Sequence, residues 1–504
     1  MGVVAKQSFY NILSVILAFG IGAINTIVFY PRAMGEALYG IVVILLAQSN
    51  ILQPIFSFGV QHTLIKYYTA ASSQKERDKL LLFTLLIPLV FILPAAVLFY
   101  TYYSEIALYL STKNPELGQF IYLIFLIAVA TAYFEIFYNW SRVQKQTVIG
   151  NFLKEVYQRL LISVLLVLYL WGWFGFEAFI NALIVGYYFR LLLIMGYSLW
   201  LYTPRLHFSL PANTRELLIY STLIFLSAFG ASVIIDIDAS MLGKLVEDRY
   251  VAYYRVAIFI AAIIDAPVRA MLQIVTPLVS EAINSKQLGT LKSLLEKSGT
   301  NLLLVSGLFF VLINANIDDL YAFIALLSGK EGFAVAIPVV LYISITKIIT
   351  AATGCTNTII NNSKYYYWVP FLSIGSAVAV VFLNLHFIEQ LGFIGAAFAT
   401  LIVITSFNVL KVAIVAKAYK ISPFSRQTIY LIGLIVGHYF VFSAIDLPFN
   451  AFLNLVLKSV MICSLYLFCC VQLGISPTIN QFLANALKKL RSVIGKTDLN
   501  QTKS

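Results

Sequence analysis

Charge is what this sequence has least of. Only 11% of its 504 residues are Asp, Glu, Lys or Arg, against 61% hydrophobic residues, where a soluble chain carries about 25% and 45–50%. That balance excludes a soluble fold, which has no place to hide so much apolar surface. Cysteine occurs four times, at Cys355, Cys463, Cys469 and Cys470. All four lie in apolar stretches without metal-ligand or disulfide-framework spacing, so buried thiols are expected. The four histidines, His62, His207, His386 and His438, are scattered and form no metal-binding pattern. There is no glycine loop ending in Lys-Ser/Thr and no large extramembrane segment to carry an acidic catalytic motif. No enzyme activity, cofactor or metal is therefore expected. The formal net charge of +12 would suit nucleic acid, but the cations sit in short loops between apolar segments, which argues against that partner.

What the chain does have is apolar runs of membrane-spanning length, about twenty residues each. Reading them between charged or Pro/Gly-rich breaks predicts helices near 10–30, 38–60, 80–103, 117–138, 153–173, 178–201, 217–242, 250–282, 301–316, 333–357, 365–387, 392–416, 428–445 and 451–473. The expected class is an all-α polytopic membrane protein with about fourteen transmembrane helices. The first run is longer than a signal-peptide core and lacks a small-residue cleavage site before Pro31, so it is expected to remain as a helix. With the N-terminus inside, the loop cations accumulate on the cytoplasmic side. Only Arg32, Lys113, Lys244, Arg249 and Lys330 fall opposite, while the cytoplasmic set includes Arg142, Lys145, Lys154 and Arg159. One miscounted helix would reverse every later loop, so both termini are expected to be cytoplasmic. Residues 479–494 place apolar side chains on one helical stripe with Lys488, Lys489 and Arg491 elsewhere, which suits an interfacial helix or, equally, a solvated tail.

A duplication is visible. Met34-Gly35 followed by Tyr39-Gly40 after helix 1 resembles Leu242-Gly243 followed by Tyr253 after helix 7, and Gly175-Phe176 before helix 6 resembles Gly392-Phe393 before helix 12. Six helices separate the copies, so both have the same orientation, as in parallel transporter repeats. The expected division is an N-terminal lobe over 1–203, a C-terminal lobe over 204–418, two further helices over 419–474 and a basic tail over 475–504.

Charges within spans are expensive and mark a protein interior or a wet cavity. The candidates are Glu135, Arg190, Asp236, Asp238, Arg255, Asp265, Arg269, Lys347 and Lys458. On one continuous helix 8, Arg255, Asp265 and Arg269 fall within about 80° of one another, giving it a polar face. Pro267 and Pro277 favour a bend there. The competing reading pairs Asp265 with Arg269, four residues on. Arg190 and Lys458 are expected to snorkel towards headgroups, and Asp318-Asp319 to be solvated in a loop. Tyr102-Tyr103, Tyr187-Tyr188 and Tyr365-Tyr366-Tyr367 read as aromatic belt.

Taken together, Arg32-Ala33-Met34-Gly35 with Tyr39-Gly40, Asp238 with Leu242-Gly243 and Tyr253, Pro277-Leu278-Val279-Ser280-Glu281, and Gly392-Phe393-Ile394-Gly395-Ala396-Ala397 carry a resemblance. The chain resembles the polysaccharide or oligosaccharide (O-antigen-type) flippases of the multidrug/oligosaccharidyl-lipid/polysaccharide exporter superfamily. It departs from the family's pattern at Ala239, where Arg or Lys often follows the helix 7 aspartate. The resemblance implies two pseudo-twofold six-helix lobes in a V, as in MATE transporters, around a cavity opening alternately to each side, with two C-terminal helices appended. It further implies a bacterial cytoplasmic membrane location and a cargo of undecaprenyl-pyrophosphate-linked oligosaccharide, such as a lipopolysaccharide repeat unit. That cargo would move to the outer leaflet before a polymerase or ligase acts on it.

Within that reading, Arg32, Arg255, Arg269 and Lys347 are the expected ligands of the pyrophosphate, since guanidinium groups match phosphate oxygens and stay charged. Glu135, Asp236, Asp238 and Asp265 are the expected acidic residues of the cavity or of ion coupling. A cation-coupled drug exporter of the same fold would need a net acidic cavity, and a peptidoglycan-precursor flippase is a sibling of the leading reading. A glycan polymerase or ligase would need a larger external loop than 104–116 or 317–332.

Overall fold

The computed structural model describes residues 3–68, 70–71, 73–207 and 209–475. The proposed interfacial helix at 479–494 lies outside them. The described chain is helical throughout, with no strand among those residues. In a membrane this follows from the backbone itself, because helices satisfy every N–H and C=O within one segment.

The first pass is α1 (Val3–Ile24) continued by a π turn (Asn25–Phe29) into α2 (Tyr30–Ser57). The stretch Leu13–Ser57 is 45 residues long, about twice what one crossing needs. It breaks at Gly35, whose φ of 68° and ψ of −168° no helix accommodates and which only glycine adopts freely. Next come α3 (Val60–Tyr68), α4 (Gln74–Thr101), α5 (Tyr103–Leu110), α6 (Tyr122–Val143) and α7 (Val148–Phe152). A second π turn (Leu153–Tyr157) joins α7 to α8 (Gln158–Leu170), and α9 (Phe176–Leu201) ends this half.

The remainder is α10 (Thr214–Leu245), α11 (Asp248–Ala262), α12 (Ala266–Asn284), α13 (Leu288–Asn314), α14 (Ile317–Ser328), α15 (Ile337–Ala352), α16 (Thr356–Asn362), α17 (Trp368–Leu391), α18 (Phe393–Tyr419), α19 (Arg426–Ser443) and α20 (Ala451–Gln472). Eleven stretches are long and apolar enough to cross a membrane. Dividing the first at Gly35, and adding the π-interrupted 148–170 and the 18-residue α19, gives the fourteen expected passes.

Helix 8 carries more than the bend that Pro267 and Pro277 favour. It is interrupted at Ile263–Asp265 by a tight 3-10 turn, and α12 restarts with Pro267 in its first turn, where a missing N–H costs nothing. The interruption coincides with a division of the chain. One compact unit comprises Met1–Phe259, Tyr321–Ile343 and Tyr367–Ile404; the other comprises Ile260–Leu320, Ser344–Tyr366 and the chain from Thr405. The first unit thus runs past residue 203 and includes α10 and most of α11.

Close backbone approaches order the first unit, and small residues permit them. A Cβ on Gly40 of α2 would overlap the Asp248 carbonyl at the start of α11, and one on Gly230 of α10 would lie 2.7 Å from the Ser373 carbonyl of α17. Asn114 fastens the α10–α11 turn: its amide donates to Gly243 O at 2.5 Å and Val246 O at 3.3 Å, while its side-chain oxygen accepts from Asp248 N at 3.0 Å. In the second unit, α13 packs against α12, α19 and α20, with Tyr466 donating to Leu304 O at 3.0 Å. Lys458 does not snorkel there. It is 4% exposed, donates to Ala315 O at 3.2 Å and stands 3.8 Å from Asp319, which also accepts from Asn454. The same contacts remove Asp319 from the solvated loop expected for it.

The Gly40 approach generates a stability prediction. Gly40→Ala should lower the thermal unfolding midpoint in detergent, costing about 1–3 kcal/mol as overpacking does. Gly20→Ala, whose added methyl meets nothing within 4 Å, should leave the midpoint where it is.

Candidate functional site

A cavity of about 690 Å³ lies within the first unit, walled by α1 and its π turn, α2, α3, α6, the second π turn with α8, α9, α10 and α11. Both π turns contribute directly. Asn25 and Thr26 come from the first, Lys154 and Glu155 from the second. A π turn widens the helix by one residue and frees backbone groups, which is why such turns concentrate at functional sites. A side chain of the first π turn ties it to α8 just beyond the second. Asn25 donates to Arg159 O at 2.8 Å and accepts from Ser163 Oγ at 2.7 Å, locking the two irregular helices together.

Four cations and three carboxylates face this cavity: Lys154, Arg159, Arg190 and Arg255 against Glu135, Glu155 and Asp236. Lys154 pairs with Glu135 at 2.7 Å, and Arg159 with Glu155 at 3.1 Å. Arg255 and Asp236 face the cavity without an ion pair between them. Arg190 stands apart. Its guanidinium lies over the rings of Phe134 at 4.1 Å and Tyr187 at 4.9 Å and donates to Gln158 at 2.9 Å, while its Nε has no hydrogen-bond partner. The remaining wall includes amides and phenols: Asn50, Gln53, Gln61, and the stacked Tyr30 and Tyr39, whose centroids are 4.5 Å apart.

The residues singled out from sequence are dispersed by the structure. Arg255, Glu135 and Asp236 line the cavity. Asp238 does not; it is 3% exposed and accepts from Tyr254, from Asn384 at 2.7 Å and from Thr400 at 2.8 Å. Two residues apart on one helix, Asp236 and Asp238 point to opposite sides. Arg32 is exposed in the first turn of α2 and is not part of the cavity wall. Arg269 is exposed on α12, and Asp265 and Lys347 pair with each other at 2.6 Å, all three in the second unit. The chain divides between Arg255 and Asp265: Arg255 belongs to the first unit, Asp265 and Arg269 to the second, where Asp265 takes Lys347 rather than Arg269 as its partner.

Three of the cavity's four cations lie outside the binding set expected from sequence. Lys154 and Arg159 were counted among cytoplasmic loop charges, although Arg159 falls six residues inside the run predicted at 153–173, which was the available signal. Arg190 was expected to snorkel but is 3% exposed, and Tyr187, read as belt, is buried beside it in mid-helix.

A sequence model of the family described as polysaccharide biosynthesis protein matches residues 4–283. The chain belongs to that family. No curated protein sequence matches it. Among solved structures, this family member is similar to the lipid II flippase MurJ in an inward closed conformation, with a TM-score of 0.66 and 13% identity over 92% of this chain and 98% of that one. It is also similar to the MATE multidrug transporter DinF-BH, with a TM-score of 0.55 and 15% identity over 82% of this chain and 96% of that one. A MATE protein in complex with MaL6 gives a TM-score of 0.54 at 13% identity over the same shares. At these identities the likeness establishes the fold, that of the superfamily to which MurJ and the MATE transporters belong.

The Asn25 bridge from the first π turn to α8 is open to test. Asn25→Leu leaves the Arg159 carbonyl and the Ser163 hydroxyl without this partner and should cost about 1–3 kcal/mol. Ser163→Ala, which removes one bond, should cost about 1 kcal/mol. Thermal unfolding in one detergent would rank the two.

Proposed function

We propose that this protein moves a lipid-pyrophosphate-linked oligosaccharide from the inner to the outer leaflet of a bacterial cytoplasmic membrane by alternating access, with both termini in the cytoplasm. Undecaprenyl pyrophosphate is the carrier this reading favours, and an O-antigen-type repeat unit is the cargo, delivered to a polymerase or ligase.

The single observation that carries the reading is the cavity in a polysaccharide biosynthesis family member: large, polar, and carrying one more cation than carboxylates. A hydrophobic drug would strip water from charged side chains there, and a cationic one would meet Arg190 and Arg255. An anionic headgroup meets guanidinium groups, which bind phosphate oxygens through paired N–H donors and do not deprotonate on leaving water. In this proposal Arg255 and Arg190 engage the phosphates, in place of the wider set of Arg32, Arg255, Arg269 and Lys347. Asp238, held by Tyr254, Asn384 and Thr400 behind the cavity wall, is the proposed coupling acid. Asp236, two residues away on the same helix, faces the cargo instead.

Transbilayer movement of a fluorescent undecaprenyl-pyrophosphate oligosaccharide in proteoliposomes tests this directly. Losing one charge-assisted contact of about 1.5–3 kcal/mol should slow movement by Arg255→Ala roughly ten- to a hundredfold, with Arg255→Lys intermediate. Uptake of an organic cation by the unaltered protein, with no movement of the lipid-linked glycan, would instead favour a drug exporter. Collapsing ion gradients should slow movement by the unaltered protein and have little further effect on Asp238→Asn.

A further inference from the structure

Two of the cavity's carboxylates are matched by cations: Glu135 is held by Lys154 at 2.7 Å and Glu155 by Arg159 at 3.1 Å. Asp236 faces the cavity without an ion pair among the described residues. Two of the cavity's cations, Arg255 and Arg190, are left over, and Arg190 is the more deeply buried. Among the described residues no carboxylate lies within 4 Å of it, it is 3% exposed, and Glu135, the carboxylate whose charge reaches it, already belongs to Lys154. A buried cation with an unsatisfied Nε lacks a counterion. The rest of the wall offers neutral groups, and two of them, Gln61 Oε1 and Thr131 Oγ1, are buried without a hydrogen-bond partner.

We propose that the cavity is built for one phosphate-type head at Arg190 and Arg255 and an uncharged, hydroxyl- and amide-bearing glycan along the rest of its wall, so that it rejects cargoes whose sugars carry carboxylates. This rests on the flippase reading above and specifies the chemical class of its cargo. The reason is the pairing itself. With the phosphates on Arg190 and Arg255, a uronate entering the cavity meets Glu135, Glu155 and Asp236, and it recruits Lys154 or Arg159 only by stripping Glu135 or Glu155 of its partner. Like-charge juxtaposition and a stranded carboxylate then both oppose binding. A neutral sugar disturbs no pair and supplies hydroxyl donors and acceptors to Gln61, Thr131, Asn50 and Gln53, while the Tyr30 and Tyr39 rings offer apolar faces to the sugar ring.

The test uses the full-length protein in proteoliposomes with two fluorescent probes on the same undecaprenyl pyrophosphate. One bears a neutral N-acetylhexosamine–hexose disaccharide, and in the other a hexuronic acid replaces the hexose. The neutral probe should move at least tenfold faster. Glu135→Gln and Glu155→Gln each release a cation while keeping the side chain's shape, and each should narrow that gap to threefold or less by raising the uronate rate. Arg190→Gln should slow both probes alike. Equal rates for the two probes with the unaltered protein, or a faster uronate probe, would overturn the proposal while leaving the flippase reading intact. So would a gap untouched in both Gln variants when their thermal unfolding matches the unaltered protein. If neither probe moves but an organic cation does, the flippase reading fails and this one fails with it.

Discussion

Every carboxylate buried at membrane depth must find a proton, a cation or a set of donors, because the surrounding hydrocarbon offers none. This constraint explains more of the structure than hydrophobicity does. Glu135 takes Lys154, Glu155 takes Arg159, Asp265 takes Lys347 and Asp319 takes Lys458, while Asp238 is satisfied by three neutral donors. Such pairs add little to stability, since desolvation offsets most of the attraction, yet removing one partner is costly. They fix which helices face one another. The partners stand on different helices in three of the four pairs, so the pairing acts across the fold rather than along one segment.

The second organising feature is where the helices are irregular. Lipid-exposed backbone cannot lose its hydrogen bonds, but backbone that lines a polar cavity can. The two π turns obey this rule: both border the cavity, and Asn25 of the first is bonded to the Arg159 carbonyl of α8, which follows the second. The interruption at Ile263–Asp265 is similarly provided for, since the Ile264 carbonyl accepts from Ser306 Oγ at 3.1 Å within the second unit. Gly35 is the remaining break, a place where conformational freedom rather than a partner makes the turn affordable.

Much of the architecture was legible in the sequence because it depends on long-range averages. Twenty-residue apolar runs survive errors of several residues at each end, and the alternation of loop charges checks their number. The site was less legible because it depends on phase. Counting about 100° per residue puts Arg255, Asp265 and Arg269 on one face, but the chain divides into two compact units between Arg255 and Asp265, and Asp265 pairs with Lys347 from another helix. Lys154 and Arg159 read as loop cations since a polar stretch ordinarily marks a helix end, whereas here the helix runs straight through it as α7, a π turn and α8. Arg190 had no sequence partner at helical spacing; its neighbours Phe134 and Gln158 come from other helices. Asp236 and Arg255, by contrast, were found from sequence alone, since a charge in mid-span is conspicuous wherever it points.

The π turns carry a consequence for how such a wall could arise. Each amounts to one extra residue absorbed in a single wide turn, so the helix beyond it keeps its phase. Deleting a single codon at Leu153–Tyr157 would therefore close the bulge that carries Lys154 and Glu155 while leaving Gln158, Arg159 and the rest of α8 in phase and the apolar length of the span almost unchanged. A lineage of such proteins can exchange the chemistry of one wall in a single indel without rebuilding a transmembrane helix, and aligned sequences will show the event only as a one-residue gap.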